Sequence, residues 1–249
     1  MRILVNADDY GWNRTCSRAI FSSFQKGYID TTTAMPVGIF FDEAVNIIKD
    51  TIYENSVGIH FNLTEGIPLT EGIKFDSFFC NKEGCFHGKI RRYKRMTVEQ
   101  KLHAYQELWT QAVKYANTGL LFHHADSHHH IHTAPYITPI VIAVMKEFNI
   151  KGLRQHRDIG DINVIKKGMK KACNFNLRCK NLLYTTHFGN FDDVFNNPNI
   201  LEKQGLLEIM CHPDLDTEGV LIDRASGCTY ESPYGRPMSE LTNKLLWKE

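Results

Sequence analysis

Short apolar runs and stretches of helical periodicity alternate along nearly the whole chain. Apolar runs rich in β-branched residues and leucine predict strands, and apolar positions spaced three and four apart predict helices. Strands are predicted over residues 2–6, 31–37, 56–63, 152–154, 182–186 and 206–210 and just before residue 123. Helices are predicted over residues 15–26, 41–50, 97–117 and 135–148, in the lysine-rich part of 158–180 and around 241–247. We therefore predict an α/β fold, an irregular (β/α) barrel of about seven strands, with an open doubly wound sheet as the alternative.

The longest predicted helix begins at a capping box. Thr97 can accept a hydrogen bond from the backbone of Gln100, and the side chain of Gln100 can reach back to the backbone of Thr97. Apolar side chains then recur at helical spacing to about residue 117. They predict a buried stripe of Leu102, Tyr105, Leu108, Trp109 and Ala112.

One connection differs in character from the rest of the chain. Residues 67–95 contain several aromatic side chains and end in a basic run over residues 89–95. This segment is long for a connection in a compact domain, and such loops often act as lids or binding loops. Its aromatic side chains could stack on a bound ring, form a small core or mediate a homodimer. We treat residues 1–249 as a single domain that carries this insertion.

Composition and charge narrow the classes of partner. The formal net charge is +1, so no strong field would recruit nucleic acid or an anionic membrane. No apolar run is long enough to cross a bilayer, and the first residues enter a strand without the pattern of a secretory signal. The seven cysteines form no C-x-x-C pair, which predicts reduced thiols and disfavours a cysteine-ligated structural zinc. We expect a cytoplasmic protein.

Polar residues recur where the predicted strands end. Asp8 and Asp9 follow the first strand, His60 lies near the end of another, and His212 follows the last. The densest group is residues 123–132, which hold six of the chain's twelve histidines. The remaining polar residues at predicted strand ends are Arg154 and His187. Strand carboxyl ends converge on one face of a β/α barrel, and carboxylates and imidazoles are common metal ligands, so this face is the candidate site.

Each of these residues also has a structural explanation. The histidine-rich loop can be a solvated tract that binds metal weakly, the paired aspartates can cap a helix or turn, and His60 can be a satisfied core residue. Alternation along extended backbone allows both His128 and His130 to face the site. Asp126 can anchor an imidazole or cap the backbone. Arg154 can pair with a catalytic carboxylate, with a substrate or with a surface group.

Four segments resemble those of a known enzyme family. They read NADDYG at residues 6–11, GIHFNLT at 58–64, DSHHHIH at 126–132 and MCHP at 210–213. In order and spacing they are similar to the YdjC/ChbG-type carbohydrate (chitooligosaccharide) deacetylases. This resemblance implies a distorted β/α barrel and the removal of acetyl groups from N-acetylated carbohydrates, with oligosaccharides that contain N-acetylglucosamine as the expected substrate.

The same resemblance implies roles for individual residues. One divalent metal ion would be held by Asp9, His60 and His128, with Asp8 as the general base and His212 as the acid. Magnesium or zinc is expected, and manganese, cobalt or nickel would also suit mixed oxygen and nitrogen ligands. A further arginine, residue 236, resembles one in the family's C-terminal segment to which no role is assigned.

The chemistry of amide hydrolysis agrees with these roles. A bound divalent cation lowers the pKa of its water and polarises the acetyl carbonyl, so that the metal-bound water can attack. One carboxylate would take a proton from that water, and a protonated imidazole would give one to the leaving amine. Two other interpretations stay open. One is a protein that binds metal or sugar without turnover, and the other, with less support, is a non-haem iron oxygenase, which also uses two histidines and a carboxylate.

Overall fold

The computed structural model describes residues 1–88, 94–121, 123–160, 163–178, 180 and 182–226. Seven strands form one sheet: β1 Arg2–Tyr10, β2 Thr31–Ala34, β3 Val57–Phe61, β4 His124–Ser127, β5 Gly152–Leu153, β6 His187–Asn190 and β7 Leu206–Cys211. Their order across the sheet is β5-β4-β3-β2-β1-β7-β6, and each neighbouring pair is parallel. The predicted α/β fold with about seven strands is confirmed.

Helices and short turns connect these strands. The helices are α1 Arg14–Gln25, α2 Phe41–Ile48, α3 Glu71–Lys74, α4 Val98–Ala116, α5 Thr138–Glu147, α6 Val164–Arg178 and α7 Phe191–Asn196. Turns of 3₁₀ helix span Glu54–Ser56, His128–Thr133 and Pro198–Glu202, and an antiparallel pair, β8 Pro213–Leu215 and β9 Leu221–Asp223, follows the sheet. The helix expected from residue 135 begins only at Thr138, because Ala134 is extended and residues 135–137 form a turn. The 3₁₀ segment before them is kinked at two left-handed residues, His129 and His130. The helix predicted around residues 241–247 lies outside the described residues.

The sheet is curled into a half-barrel. In a flat sheet, four strand spacings of about 4.8 Å would separate β5 from β1 by roughly 19 Å. Arg154, which directly follows β5, nevertheless donates hydrogen bonds to both carboxylate oxygens of Asp8 in β1 at 2.7 Å. One side chain can bridge the two strands only if they face each other across the concave side of the sheet. The curl therefore brings the strand carboxyl ends together around one site.

Helix α4 confirms the predicted start but not the predicted buried face. The Thr97–Gln100 capping box is present, and Leu108 and Ala112 are fully buried. Leu102, however, is 51 % exposed and Trp109 is 38 % exposed, and Tyr105 is only partly buried. The buried positions are Ala104, Glu107, Leu108, Gln111, Ala112 and Tyr115. The apolar pattern failed here because two polar side chains, Glu107 and Gln111, turn inward to bind loop backbone.

The insertion at residues 67–95 is largely a small extension of the core. Phe78, Phe79 and Phe86 are buried, whereas Phe75 is 87 % exposed. Glu107 of α4 holds the start of this segment by accepting hydrogen bonds from the backbone N–H groups of residues 69 and 70 at 3.0 and 2.8 Å. The aromatic side chains could stack on a bound ring, form a small core or mediate a homodimer, and these three phenylalanines form a small core. Most of the basic run, residues 89–93, lies outside the described residues.

Strand β6 begins where the sequence pattern predicted an end. The expected strand over residues 182–186 makes only one bridge, between Leu183 and Gly152. The paired strand starts at His187, which lies opposite Leu207 near the beginning of β7. Leu183 and Tyr184 are 40 and 39 % exposed. This apolar run therefore lies at the edge of the sheet and is not paired on both sides as an inner strand would be. His187 therefore lies at the amino end of β6 and not at the site.

Two further features bear on the class of protein. The described cysteines, Cys16, Cys80, Cys85, Cys173 and Cys211, are free thiols. Among the described residues, no helix combines the length and the apolar character needed to cross a bilayer.

Candidate metal centre

Three predicted ligands meet at the carboxyl ends of β1, β3 and β4. Oδ1 of Asp9 lies 3.2 Å from Nε2 of His60 and 2.8 Å from Nδ1 of His128. One ligand atom from each residue lies within 4.8 Å of the others, and all three residues are buried. One carboxylate and two imidazoles at this spacing could hold a single cation and leave further coordination positions open.

A bulge in β1 allows two successive aspartates to serve the site. Neighbouring side chains on a regular strand point to opposite faces. Here the register between β1 and β2 shifts between Ala7 and Tyr10, and Asp9 adopts a left-handed backbone with φ of 72°. Asp8 and Asp9 are both buried, yet Asp8 contacts Arg154 while Asp9 contacts the two histidines. The strained residue is therefore what separates the roles of the two carboxylates.

Asp126 orients the imidazole of His60. Oδ1 of Asp126 lies 2.6 Å from Nδ1 of His60, and Thr33 donates a hydrogen bond to the other carboxylate oxygen at 3.1 Å. This pairing turns Nε2 of His60 towards Asp9. Burial would lower the pKa of His60, but the nearby carboxylates, Asp126 first among them, raise it to about 10. Asp126 thus acts as the anchor of an imidazole, one of the roles open to it from the sequence.

Arg154 lies at the centre of three buried carboxylates. It contacts both oxygens of Asp8 at 2.7 Å, Oδ2 of Asp126 at 2.7 Å and Oε1 of Glu208 at 2.6 Å. Burial alone would raise the pKa of Asp8, but the Arg154 guanidinium holds that pKa well below its usual range. Burial raises the pKa of Glu208 despite the same arginine. Arg154 therefore keeps Asp8 ionised and makes no surface ion pair.

The charge balance and the donor set fit a divalent cation. The buried carboxylates Asp8, Asp9, Asp126 and Glu208 face the guanidinium groups of Arg154 and Arg224, whose Nη2 lies 2.6 Å from Oδ2 of Asp9. Once His60 has lost the proton that metal binding through Nε2 displaces, this leaves two negative charges in excess. Nε2 of His60 is buried and makes no hydrogen bond of normal geometry within the described part of the chain. A divalent cation bound there would balance the excess negative charge and give Nε2 of His60 a partner.

His212 lies next to Asp8 at the end of β7. The pairing of Ala7 with Cys211 places the following residues of the two strands side by side. The backbone N–H of His212 donates to Asp223 at 2.7 Å, which fixes the chain as it leaves the strand. Its ring Nδ1 is buried without a hydrogen-bond partner among the residues described, and the ring, after Arg154 and His60, contributes to the low pKa of Asp8. The sequence-predicted acid and base are therefore neighbours.

The other histidines of the cluster serve different purposes. Nδ1 of His132 lies 2.6 Å from the hydroxyl of Ser127, and burial holds the pKa of His132 well below its usual range. His130 packs edge-on against Phe188, and His129 is an exposed residue whose Nδ1 lies 3.1 Å from the hydroxyl of Thr64. Of the two histidines that strand alternation allowed to face the site, His128 is the one beside Asp9. The arginine at position 236 lies outside the described residues.

Three residues near the site were missed from the sequence. Glu65 contacts His128, Glu208 contacts Arg154, and Arg224 contacts Asp9. Glu208 did carry a signal, because a charged residue inside an otherwise apolar strand requires a buried partner. Glu65 and Arg224 lie in connections where charged residues are ordinary, so no local pattern separates them from solvated side chains.

The fold and site together define a curled (β/α) half-barrel with a candidate metal centre at the carboxyl ends of its strands. The profile of the YdjC-like protein family matches residues 2–238, and the chain belongs to this family.

Curated relatives are similar to this chain over most of its length. A carbohydrate deacetylase from Clostridium beijerinckii is 30 % identical, with 98 % of this chain and 92 % of the relative covered. A carbohydrate deacetylase from Vibrio cholerae is 27 % identical, with 86 and 78 % covered. A solved structure from Enterococcus faecalis, provisionally described as a cellobiose-phosphate cleavage protein, superposes with a TM-score of 0.67 at 19 % identity. It covers 87 % of this chain and 82 % of its own, and this likeness concerns the fold.

Proposed function

We propose that this chain is a metal-dependent carbohydrate deacetylase that hydrolyses the acetamido group of N-acetylated sugars, with N-acetylglucosamine oligosaccharides as the substrate class. The names of its relatives support the reaction. The observation that carries the proposal is the buried Asp9–His60–His128 cluster beside Asp8 and His212. A metal-dependent amide hydrolase needs a cation site, a base and an acid: the cluster would supply the first, Asp8 the second and His212 the third.

Asp9, His60 and His128 would hold the divalent cation. When bound, this ion supplies the electrophile that polarises the acetyl carbonyl and increases the acidity of a water molecule. Asp126 keeps the proton of His60 on Nδ1, so that Nε2 is available to the ion. The mixed oxygen and nitrogen donors suit zinc, manganese, cobalt or nickel, and suit magnesium less well.

Asp8 would accept the proton of the attacking water. Arg154 keeps it ionised. Oδ1 accepts from both Arg154 and the side-chain amide of Asn6, whereas Oδ2 accepts from Arg154 and retains a lone pair for the proton. A lowered pKa weakens a base, but Arg154 divides its charge among Asp8, Asp126 and Glu208. His212, on the neighbouring strand, would donate a proton to the leaving amine.

Acetate release tests this proposal. Full-length protein is incubated with N-acetylglucosamine oligosaccharides of increasing length, before chelation, after chelation and after zinc or magnesium is restored. We expect release that disappears on chelation and returns with metal. An Asp9→Asn variant, which lacks a proposed ligand, should release none at the same metal concentration. Sugar binding without release by metal-loaded protein would contradict the enzymatic function.

A further inference from the structure

His128 is held between two carboxylates on opposite sides of its ring. Nδ1 lies 2.8 Å from Oδ1 of Asp9, inside the candidate metal centre, and Nε2 lies 2.8 Å from Oε2 of Glu65. Asp9 is buried, whereas the side chain of Glu65 is 45 % exposed. Ionised carboxylates can only accept hydrogen bonds, so Nε2 donates to Glu65 and Nδ1 can donate to Asp9. A cation between Nδ1 and Asp9 would replace the second of these protons and leave the first in place.

A buried polar network fixes the turn that carries Glu65. The side-chain oxygen of Asn62 accepts hydrogen bonds from the backbone N–H groups of Thr64 and Glu65 at 2.8 and 3.2 Å, and its amide donates to the carbonyl of Glu65 at 2.6 Å. Gln111 of α4 binds the backbone N–H and carbonyl of Asn62 at 3.0 and 2.7 Å. The backbone at Glu65 is therefore set by α4 and β3, and the carboxylate is presented to His128 from a rigid base.

We propose that Glu65 is a positioning residue that keeps the proton of His128 on Nε2 and thereby leaves Nδ1 to bind the metal ion. This inference rests on the metal centre of the proposed function. His60 has the same arrangement with its nitrogens exchanged, because Asp126 holds Nδ1 and Nε2 faces Asp9. An outer carboxylate of this kind orients a ligating imidazole and increases its basicity. Each of the two ligand histidines thus has a carboxylate of its own.

A second cation site is the competing interpretation. Glu65, His128 and His129 also lie close enough together to share an ion. For His128 to bind one ion through Nδ1 and another through Nε2, its ring would have to lose both protons, which a histidine at neutral pH does not do readily. A single ion with Glu65 as the hydrogen-bond acceptor requires no such loss.

Measurements of metal affinity test whether Glu65 positions His128. Zinc affinity is measured for chelator-stripped full-length protein by competition with a chromogenic chelator, for Glu65→Ala, Glu65→Gln and Glu71→Gln. Glu71 is an exposed glutamate of α3 paired with Lys74, and it serves as the matched control. We expect Glu65→Ala to bind zinc about 10- to 100-fold more weakly, which is the usual effect of losing an outer partner. Glu65→Gln should lie between, because its amide oxygen still accepts from Nε2, and Glu71→Gln should match the wild type.

The tautomer of His128 provides a readout that a general structural role would not change. Long-range ¹H–¹⁵N spectra of zinc-loaded wild-type protein should show the proton on Nε2 and the metal on Nδ1. Zinc on Nε2, an affinity of Glu65→Ala within about twofold of wild type, or two ions per chain falling to one in that variant would overturn the inference. If Glu65→Ala fails to fold, Glu65→Gln and the wild-type spectra decide. Failure of the wild type to bind zinc would overturn both proposals, whereas Glu65-dependent zinc binding without acetate release would overturn only the enzymatic one.

Discussion

At the scale of single residues, Asp8 depends on Arg154 for its charge. A carboxylate that is almost fully buried would normally take up a proton, but the guanidinium keeps its pKa below the ordinary value of 3.8. Because the folded pKa is lowered, this pair stabilises the fold at pH values above the ordinary value. Its contribution is lost as the pH falls through the lower, folded value. Asp8 is therefore available as a base throughout the neutral range.

Replacing Asp8 with asparagine should separate catalysis from metal binding. Asp8→Asn removes the proposed base but lies outside the Asp9–His60–His128 cluster. We expect acetate release to fall by about 10²- to 10⁴-fold, the usual value of a positioned proton transfer, at unchanged metal content. Turnover and bound metal are measured on the same sample. Asp42→Asn, at an exposed position of α2, is the control, and undiminished turnover in Asp8→Asn would remove Asp8 from the base role.

Metal affinity should rise with pH because His60 must lose a proton. In the metal-free protein, Asp126 and the other carboxylates raise the pKa of His60 to about 10 despite its burial, so at neutral pH the ring is protonated. Binding through Nε2 releases that proton, and apparent affinity should increase about tenfold per pH unit below this pKa. Chelator competition at several pH values checks the slope. Asp126→Asn should flatten it, and affinity independent of pH in the wild type would contradict the assignment.

The sequence predicted the candidate site residues more readily than the side chains that contact them. Asp8, Asp9, His60 and His128 could be located because strand ends converge, and the resemblance distinguished His128 from its neighbours. Which carboxylate Arg154 binds depends on how far the sheet curls, and no pattern within a strand records that curvature. Glu65 was missed for a similar reason, since its importance comes from an imidazole 63 positions away.

At the scale of elements, α4 provides a direct test of how the helix packs. Leu108 is fully buried and Leu102 is 51 % exposed, although both belonged to the predicted stripe. Leu108→Ala should lower the free energy of unfolding by about 2–5 kcal/mol, because it leaves a cavity. Leu102→Ala, the matched control on the same helix, should change it by less than about 1 kcal/mol. Urea denaturation of both variants measures the difference, and equal losses would show that α4 packs by the apolar pattern after all.

The apolar periodicity predicted that these elements exist. It did not determine which face of α4 is buried or where β6 begins. The rotation of α4 follows from Glu107 and Gln111, which bind loop backbone, and a pattern of apolar residues cannot register that attraction. The start of β6 depends on where β7 offers a partner, so the apolar run before His187 gave the wrong position. In both cases a contact distant in the sequence overrode a local preference.

At the scale of the whole molecule, the bound ion should stabilise the fold. Its proposed ligands come from β1, β3 and the turn directly after β4, so they are close together only when the sheet has formed. An ion at about 100 times its dissociation constant should add about 2.7 kcal/mol to the free energy of unfolding. Thermal denaturation with added zinc and with chelator measures this difference. The melting temperature of Asp9→Asn should respond little to zinc, and a wild-type melting temperature insensitive to zinc would count against the centre.

The order of the strands has a consequence for synthesis. β1 is made first, but one of its neighbours in the sheet is β7, which is made more than two hundred residues later. Arg154 follows Asp8 by 146 positions, a delay of roughly 7–30 s at ordinary rates of translation. Asp8 lacks its guanidinium partner until Arg154 is made, and one edge of β1 stays unpaired until β7 is made. Chains released early should therefore be the species that chaperones or proteases recognise.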